Sequence, residues 1–388
     1  MNNVTPTSPR LGLGAGPTRK VAMVITRGDT VGGSQTHVLE ATRAMRASGH
    51  DVRIWLGSAG EFTAVLDDEG IAYEIVEGMQ RAISPASDLR AYFALKRSLR
   101  AFGPDLISTH ATKAAALGNW AGRALGIPVV FTAHGWLIIP GATGARQLAL
   151  RWGHRAIARL ASRTICVCDY DRRLAVDRGV LHDDMIDVVH NSVSDVAASS
   201  RADSSTAPPR LITVTRLAPP KDVATALEAL AMLRDRAWTL EVVGDGPMRA
   251  QLEALVSRLD LEDRVTLAGT CNDVEARLAR SQIFLLSTDR EGFPMSVLEA
   301  MRAGLPVVAS DVGGIREAVA HGVSGAMVPA RSAERMAQAL APLLDDPAMR
   351  ASYGAAGRRR FEERFAFDAY MERMWAVYDR VITARRST

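Results

Sequence analysis

Short apolar runs alternate with amphipathic helical patterns along almost the whole chain, and this rhythm constrains the fold more than any other feature. The segments VAMVIT (21–26) and PVVFTAH (128–134) are typical strand patterns, and helical patterns over 35–48 and 112–125 are typical of the stretches between such strands. Strands that alternate with helices predict parallel sheets with helices packed on both faces. The fold class expected from the sequence is therefore α/β, doubly wound.

The rhythm stops once, near the middle of the chain, and then restarts. Residues 194–209, SDVAASSRADSSTAPP, are small and polar and end in prolines, which is typical of a linker. A chain of 388 residues is also long for one core, so two domains are expected. The predicted divisions are a disordered tail (1–19), an N-terminal domain (20–193), the linker (194–209), a C-terminal domain (210–364) and a C-terminal helix that crosses back to the N-terminal domain (365–388).

Composition and charge exclude several classes of protein. Hydrophobic residues make up 47% of the chain and charged residues 23%, with a net charge of +4, which does not suggest a dedicated nucleic-acid binder. No apolar run approaches the ~18 residues of a membrane span. Three cysteines cannot form a disulfide framework, and Cys166 and Cys168 alternate within the strand pattern TICVC. We expect a protein of the reducing cytoplasm.

The stretch DREGFPMSVLEAM (289–301) carries two glutamates at a suggestive spacing. Glu291 and Glu299 stand eight positions apart, and Gly292 and Pro294 between them prevent a helix through Glu291. We expect Glu291 in a loop, a helix that begins near Pro294, and Glu299 after its first turn. The free N–H groups of such a helix start attract anions, so a phosphate site is plausible. A surface loop followed by an ordinary helix explains the same pattern.

Two cations follow the strand RLITVT (210–215). Arg216 comes directly after it and Lys221 five residues later, before a helix, which suits a diphosphate. Solvated loop cations are the simpler alternative. The turn VVGDGP (242–247) has the same placement and includes Gly244, which can serve nucleotide approach or only a tight turn.

In the first half, a glycine pair and two histidines also follow strands. Gly32 and Gly33 could bring backbone N–H groups to a ligand, although a plain turn is equally consistent. His110 and His134 each end an apolar strand, which places them at one edge of a sheet, where ligands bind. A histidine in such a position can also be a packing residue. Neither has a carboxylate or cysteine at zinc-ligand spacing, so a zinc site is not predicted.

Residues 143–163 form a basic amphipathic pattern. Arginines recur largely every four residues, with Trp152 among them; they are Arg146, Arg151, Arg155, Arg159 and Arg163. Such a helix can lie on an anionic membrane, and a solvated helix packed against its own domain explains the pattern as well.

Taken together, these motifs resemble those of the family 4 glycosyltransferases, from about Lys20 to the C-terminus. The most specific segment is EGFPMSVLEAMRAGLPVVASDVGGIREAV (291–319), which carries the E-x7-E motif, and TRLAPPK (215–221) resembles the family's arginine–lysine pair. GGSQTHV (32–38) resembles its glycine loop. STHATKAAALG and FTAHGW resemble segments of bacterial members that build capsule, exopolysaccharide or O-antigen. Ser192 departs from the family's usual glycine in one local turn.

The resemblance implies a GT-B fold, with two Rossmann-like domains that face each other across a cleft, and transfer of a sugar with retention from a nucleotide-sugar, a UDP-sugar being our expectation. It implies that Glu299 binds the ribose and Glu291 the donor sugar. It further implies that His134 faces the transferred sugar and that no metal or other cofactor is needed. The other implied positions are Arg216 and Lys221 on the diphosphate, Gly292, Phe293, Pro294, Met295, Ser296 and Gly244 on the donor, Gly32, Gly33 and His110 on the donor phosphate or acceptor, and Lys113 on the acceptor side.

Two other functions are consistent with the sequence. A nucleotide-sugar epimerase shares the architecture but needs no acceptor, and a non-catalytic nucleotide-sugar-binding scaffold would need no intact site. The expected partners are a nucleotide-sugar and a sugar or polyprenyl-diphosphate-linked acceptor, without nucleic acid. Segment 143–163 would hold the protein peripherally on the inner face of the plasma membrane.

Overall fold

The computed structural model describes residues 17–138 and 143–386, with the side chain of Arg386 left out. Residues 1–16 of the predicted tail lie outside this range. The chain divides into two compact units. One comprises the chain up to His190 together with the segment from Asp368 onward, and the other comprises Asn191–Phe367.

The first unit is built on a seven-stranded parallel sheet of order β3-β2-β1-β4-β5-β6-β7. Its elements are β1 (Lys20–Ile25), α1 (Gly33–Ala47), β2 (Asp51–Leu56), α2 (Glu61–Asp68), β3 (Tyr73–Ile75), α3 (Pro85–Phe102), β4 (Leu106–His110), α4 (Thr112–Leu125), β5 (Val129–Ala133), α5 (Ala145–Ala158), β6 (Arg163–Cys166), α6 (Asp169–Asp177) and β7 (Ile186–Val188). The order reverses between β1 and β4, which is the point where doubly wound sheets bind ligands.

The second unit repeats the plan with a six-stranded parallel sheet of order β10-β9-β8-β11-β12-β13. Its elements are β8 (Arg210–Val214), α7 (Val223–Ala231), β9 (Thr239–Val243), α8 (Arg249–Arg258), β10 (Val265–Gly269), α9 (Val274–Ala279), β11 (Ile283–Leu286), α10 (Met295–Ala303), β12 (Val307–Ser310), α11 (Ile315–Ala318), β13 (Gly325–Val328), α12 (Ala333–Asp345) and α13 (Pro347–Arg364). The switch point lies between β8 and β11.

The burial of the central strands agrees with the parallel arrangement of both sheets. Every residue of β4, β5, β11 and β12 is buried, as expected of strands covered by helices on both faces. Cys166 is buried at the end of β6, as predicted from the strand pattern. The doubly wound α/β fold class is confirmed.

The last helix, α14 (Phe367–Arg386), packs against the first unit over its residues from Asp368 onward. Tyr378 Oη lies 2.7 Å from Ser108 Oγ, and the Trp375 ring stacks on His50 with 4.2 Å between centroids. These contacts pair buried aromatic surface with hydrogen bonds, so they fix the helix on the sheet.

Residues 203–206, within the stretch of linker composition, are bound tightly to the second unit. The guanidinium of Arg350 is fully buried and donates to the backbone carbonyls of Ser204, Ser205 and Thr206. Because a buried guanidinium needs acceptors, these carbonyls and Arg350 stabilise each other. This part of the stretch is therefore an integral segment of the second unit.

Candidate functional site

The loops that leave β8 and β9 meet at the carboxyl edge of the second sheet. Gly244 has a φ of +125°, and a Cβ at this position would overlap the carbonyl oxygen of Thr215. The N–H of Leu217 donates to the carbonyl of Asp245 at 2.9 Å. The glycine is thus required for close approach of the two loops, and this approach positions Arg216, whose side chain is exposed.

Lys221 and Glu291 form an ion pair at the same edge. The Lys221 ammonium donates to Glu291 Oε1, and the two side chains are only 19% and 13% exposed. Thr288 Oγ1 lies 3.5 Å from the same carboxylate oxygen. The pair is largely shielded from water, and an ammonium has two further protons that can serve a ligand.

The backbone of Glu291 is held in place by the loop after β12. Gly313 has a φ of +59°, and a Cβ there would overlap the carbonyl oxygen of Glu291. The N–H of Gly314 donates to the carbonyl of Gly292 at 2.9 Å. The glycines in the sequence DVGGI therefore serve to bring this loop against Glu291.

The helix α10 begins next to Pro294, as the sequence predicted. Pro294 is its N-cap in extended conformation, and the first helical residue is Met295. Glu299 follows after just over one turn and is half-buried, while Ser296 is half-buried in the first turn. Phe293 is buried, and its carbonyl accepts a hydrogen bond of 2.9 Å from Asn191 Nδ2. The turn between the two glutamates is thus held in place by this bond at Phe293.

The first sheet brings three histidines together at its carboxyl edge. His110 is the last residue of β4, His134 follows β5 directly, and His37 lies in the early part of α1, the helix after β1. Because β1, β4 and β5 are adjacent in the sheet, these positions converge. The ring centroids lie 5.3 Å apart for His37 and His110, 4.7 Å for His37 and His134, and 5.4 Å for His110 and His134.

A chain of hydrogen bonds orients the imidazoles. His110 Nδ1 lies 3.1 Å from His134 Nε2, and His110 Nε2 lies 3.0 Å from Ser108 Oγ. Burial, followed by the neighbouring histidines, lowers the pKa of His110 well below 6.5, and burial together with His37 does the same for His134. Both rings are therefore neutral at pH 7 and can each donate one hydrogen bond and accept another.

Lys113, predicted on the acceptor side, is largely shielded from solvent in the structure. Its ammonium forms an ion pair of 2.6 Å with Asp88 Oδ1 and is 12% exposed. This pair ties the first turn of α4 to α3. Gly32 is the N-cap of α1, with an extended φ of −144°, and Gly33 is its first residue.

Two residues of the histidine cluster were missed by sequence reasoning. His37 occupies the first half of α1, and its only sequence signal was its position soon after the glycine pair. Tyr370 on α14 reaches the same cluster, with its Oη 3.1 Å from His37 Nε2, although it lies 333 positions away in sequence. Such a long-range contact leaves no local pattern.

The basic helix α5 exposes both apolar and basic side chains. Leu148 and Trp152 are 53% and 55% exposed, and Arg146 is exposed too. Arg155, however, donates to the carbonyl of Gly179 at 2.6 Å. Within the described residues, no helix combines the length and apolar character required to cross a bilayer.

Comparison with known proteins assigns both halves of the chain. The profile of the family described as "Glycosyl transferases group 1" matches residues 198–360, and that of "Glycosyl transferase 4-like domain" matches residues 32–192. The two domains of a family 4-type glycosyltransferase are therefore both present, as the motifs predicted.

The chain is also similar to curated relatives and to a solved structure. The chain is 25% identical over 76% of its length to the UDP-Gal:alpha-D-GlcNAc-diphosphoundecaprenol alpha-1,3-galactosyltransferase of Escherichia coli, covering 80% of that protein. It is 36% identical over 44% of its length to an exopolysaccharide phosphotransferase of Streptomyces coelicolor, covering only 18% of that protein. Anabaena HepE in complex with UDP and glucose has the same fold, with a TM-score of 0.79, 21% identity, and coverage of 93% of this chain and 99% of that one.

These observations define a glycosyltransferase of the GT-B type. It is related to the transferases of lipid-linked and exopolysaccharide synthesis.

Proposed function

We propose that this chain transfers a sugar, with retention of configuration, from a UDP-sugar to a sugar or polyprenyl-diphosphate-linked acceptor. The observation that carries the proposal is the shielded Lys221–Glu291 ion pair at the carboxyl edge of the second sheet, beside the strand end that presents Arg216. The printed name of the Escherichia coli relative, with a UDP-sugar donor and a diphosphoundecaprenol acceptor, supports this choice of substrates.

Arg216 and Lys221 would bind the donor diphosphate. Arg216 offers a planar fork to phosphate oxygens, and Lys221 offers the ammonium protons that Glu291 does not use. When the bond to the anomeric carbon breaks, negative charge grows on the diphosphate, and fixed cations lower the energy of that charge. The N-terminus of α10, with Met295 and Ser296 in its first turn, would add backbone N–H groups.

The two glutamates would have different tasks. Glu299, half-buried on α10, would accept hydrogen bonds from the ribose hydroxyls, while Glu291 would contact the donor sugar through the oxygen that Lys221 leaves open. Phe293, Pro294 and Gly292 would shape the donor pocket between them.

Retention would follow a same-face route. The acceptor oxygen would form its bond to the anomeric carbon on the face from which the diphosphate departs, and the acceptor proton would pass to the departing phosphate. Glu291 would then position the sugar, with one of its carboxylate oxygens held by Lys221. His134, a neutral ring, would hydrogen-bond the transferred sugar, and His110 would hold His134. Within this route the residues themselves neutralise the phosphate, so the proposed reaction needs no metal.

The variant E291Q tests the task of Glu291. A positioning residue keeps most of its function as an amide of the same shape, so kcat should fall by about tenfold or less. Loss of kcat by several orders of magnitude, with a trapped sugar on the wild-type carboxylate, would instead establish a double displacement.

Membrane contact through 143–163 would serve a lipid-linked acceptor. Leu148 and Trp152 would enter the headgroup region, and Arg146 and Arg159 would bind anionic lipid. At the carboxyl end of α5, a pocket of about 450 Å³ could take lipid phosphates; the arginines that line it are Arg123, Arg159, Arg163, Arg380 and Arg385. The protein would then work peripherally on the inner face of the plasma membrane.

Liposome flotation tests this contact. The double variant L148S/W152S should lose binding to vesicles with anionic lipid, whereas M232S, which alters an exposed apolar residue of the second unit, should retain it. Arg155 is unsuitable for this test because its bond to Gly179 is structural. Equal flotation of both variants would refute the membrane role of α5.

A donor screen tests the proposed function as a whole. A ligand that binds only the folded state raises the melting temperature, so UDP and its sugars should raise it more than GDP, ADP and their sugars. Consumption of the selected UDP-sugar should then require an acceptor. Interconversion of the sugar without acceptor would establish an epimerase, and binding without any turnover would establish a scaffold.

A further inference from the structure

The three-histidine cluster at the carboxyl edge of the first sheet has the make-up of a transition-metal site. The ligand nitrogens of His37, His110 and His134 all lie within 4.8 Å of one another. A tetrahedral zinc with Zn–N bonds of about 2.0–2.1 Å needs about 3.3 Å between ligand nitrogens. The 3.1 Å from His110 Nδ1 to His134 Nε2 already fits one edge of that tetrahedron.

The remaining adjustment is small. His37 must approach the other two rings by up to about 1.5 Å, the difference between 4.8 Å and the tetrahedral edge. Its ring stands nearly perpendicular to that of His134, at 83°, so the two planes do not stack. His37 is carried by the first half of α1, next to the Gly32 N-cap.

Outer partners of the kind found around metal-bound histidines are already present. A metal-bound imidazole usually donates its second N–H to an oxygen, which fixes its tautomer. His110 Nε2 can donate to Ser108 Oγ at 3.0 Å, and Ser108 in turn contacts Tyr378 Oη at 2.7 Å. This leaves the lone pair of His110 Nδ1 directed at His134, whose Nε2 would offer its own lone pair to a metal in the tautomer that carries the ring proton on Nδ1.

The fourth position has an oxygen nearby. Tyr370 Oη lies 3.1 Å from His37 Nε2, and water can enter past His134, which is half-buried. Three imidazoles and one oxygen are the ligand set of many zinc sites, and the same set accepts Co²⁺ and Ni²⁺. Among the residues that the structure describes, no other group of three or more histidines, cysteines and carboxylates brings its ligand atoms together in this way.

We propose that His37, His110 and His134 form a site for Zn²⁺ or a similar transition-metal ion, and that this ion inhibits sugar transfer. The inhibition rests on the proposed function, because the ion would replace the hydrogen bond through which His110 holds His134 in place for the donor sugar. The reaction itself would run without metal, and occupation of the cluster would switch it off.

Co²⁺ titration tests the binding site without reference to activity. The tag-free, chelator-treated protein should bind one Co²⁺ with visible absorption bands typical of a four- or five-coordinate nitrogen and oxygen site, and Zn²⁺ should displace it. The variants H37A, H110A and H134A should each abolish the bands, while H182A, which removes an exposed histidine elsewhere, should leave them intact. S108A, which removes an outer partner, should weaken affinity by about 10- to 100-fold.

An activity measurement completes the test. Micromolar Zn²⁺ should inhibit transfer by the wild-type protein, and a chelator should restore it fully. Co²⁺ bands with no transfer under any condition would support the site while refuting the proposed function. Active enzyme that gives no bands, or bands that survive in all three cluster variants with unchanged melting temperature, would overturn the metal site and leave the proposed function standing.

Discussion

The two sheets carry the same topology but opposite chemistry at their carboxyl edges. The first presents the neutral imidazoles of His110 and His134, whereas the second presents an ammonium, a carboxylate and an exposed guanidinium. Neutral rings suit a sugar, whose hydroxyls both donate and accept, and cations suit a diphosphate. The same doubly wound fold can therefore suit different ligands through a few residues at the ends of its strands.

Loss of the ammonium at the second edge should have the largest effect. K221M removes one phosphate donor and leaves Glu291 without its cation, so kcat/KM for the nucleotide-sugar should fall by about 100-fold or more. R236M removes an ion pair elsewhere in the second unit, where Arg236 contacts Asp345, and should leave kcat/KM within about twofold. Steady-state kinetics of both variants decide this point, and equal losses would contradict it.

The first edge should respond differently to substitution. H134N removes a hydrogen bond to the sugar, so kcat should fall by about 10- to 100-fold while the affinity for UDP stays near that of the wild type. H182N is the matched control. If H134N weakened UDP binding as much as K221M does, the division of tasks between the two edges would be wrong.

The smallest effect is expected in the pH dependence of stability. The pKa values of His110, His134 and His154 are all lowered by burial, so the unfolded chain takes up protons below about pH 6.5 that the folded chain refuses. Stability should be full above about pH 6.5 and should fall progressively as the pH drops toward the folded pKa values. Denaturant unfolding of the wild type and of H110N/H134N should show a shallower fall in the variant.

The fold could be predicted from the sequence because the strand patterns and the helix start both depend on neighbouring residues. Buried parallel strands read as continuous apolar runs, and the helix α10 carries Pro294 at its start. The 18-residue helix α13 was missed, although Asp346 accepts from the N–H groups of Ala348 and Met349 and Pro347 opens the helix. Its capping signal was local too, but its weakly amphipathic pattern hid it.

The candidate site was predicted only in part, for a physical reason. Residues directly after strands could be assigned to sheet edges, and the close contacts of Lys221 with Glu291 and of His110 with His134 agree with that. The role of each residue stays a prediction, as do the cleft and the domain limits. Tyr370 and His37 meet through tertiary packing over 333 positions, which no spacing reveals.

The central claim is that the charged edge of the second sheet binds the diphosphate of a nucleotide-sugar. Calorimetric titration of wild-type protein, K221M and R236M with UDP and with uridine tests it most directly. The account predicts that K221M weakens UDP by at least about tenfold and leaves the weak binding of uridine unchanged, while R236M changes neither. Equal affinity of wild type and K221M for UDP would contradict the claim.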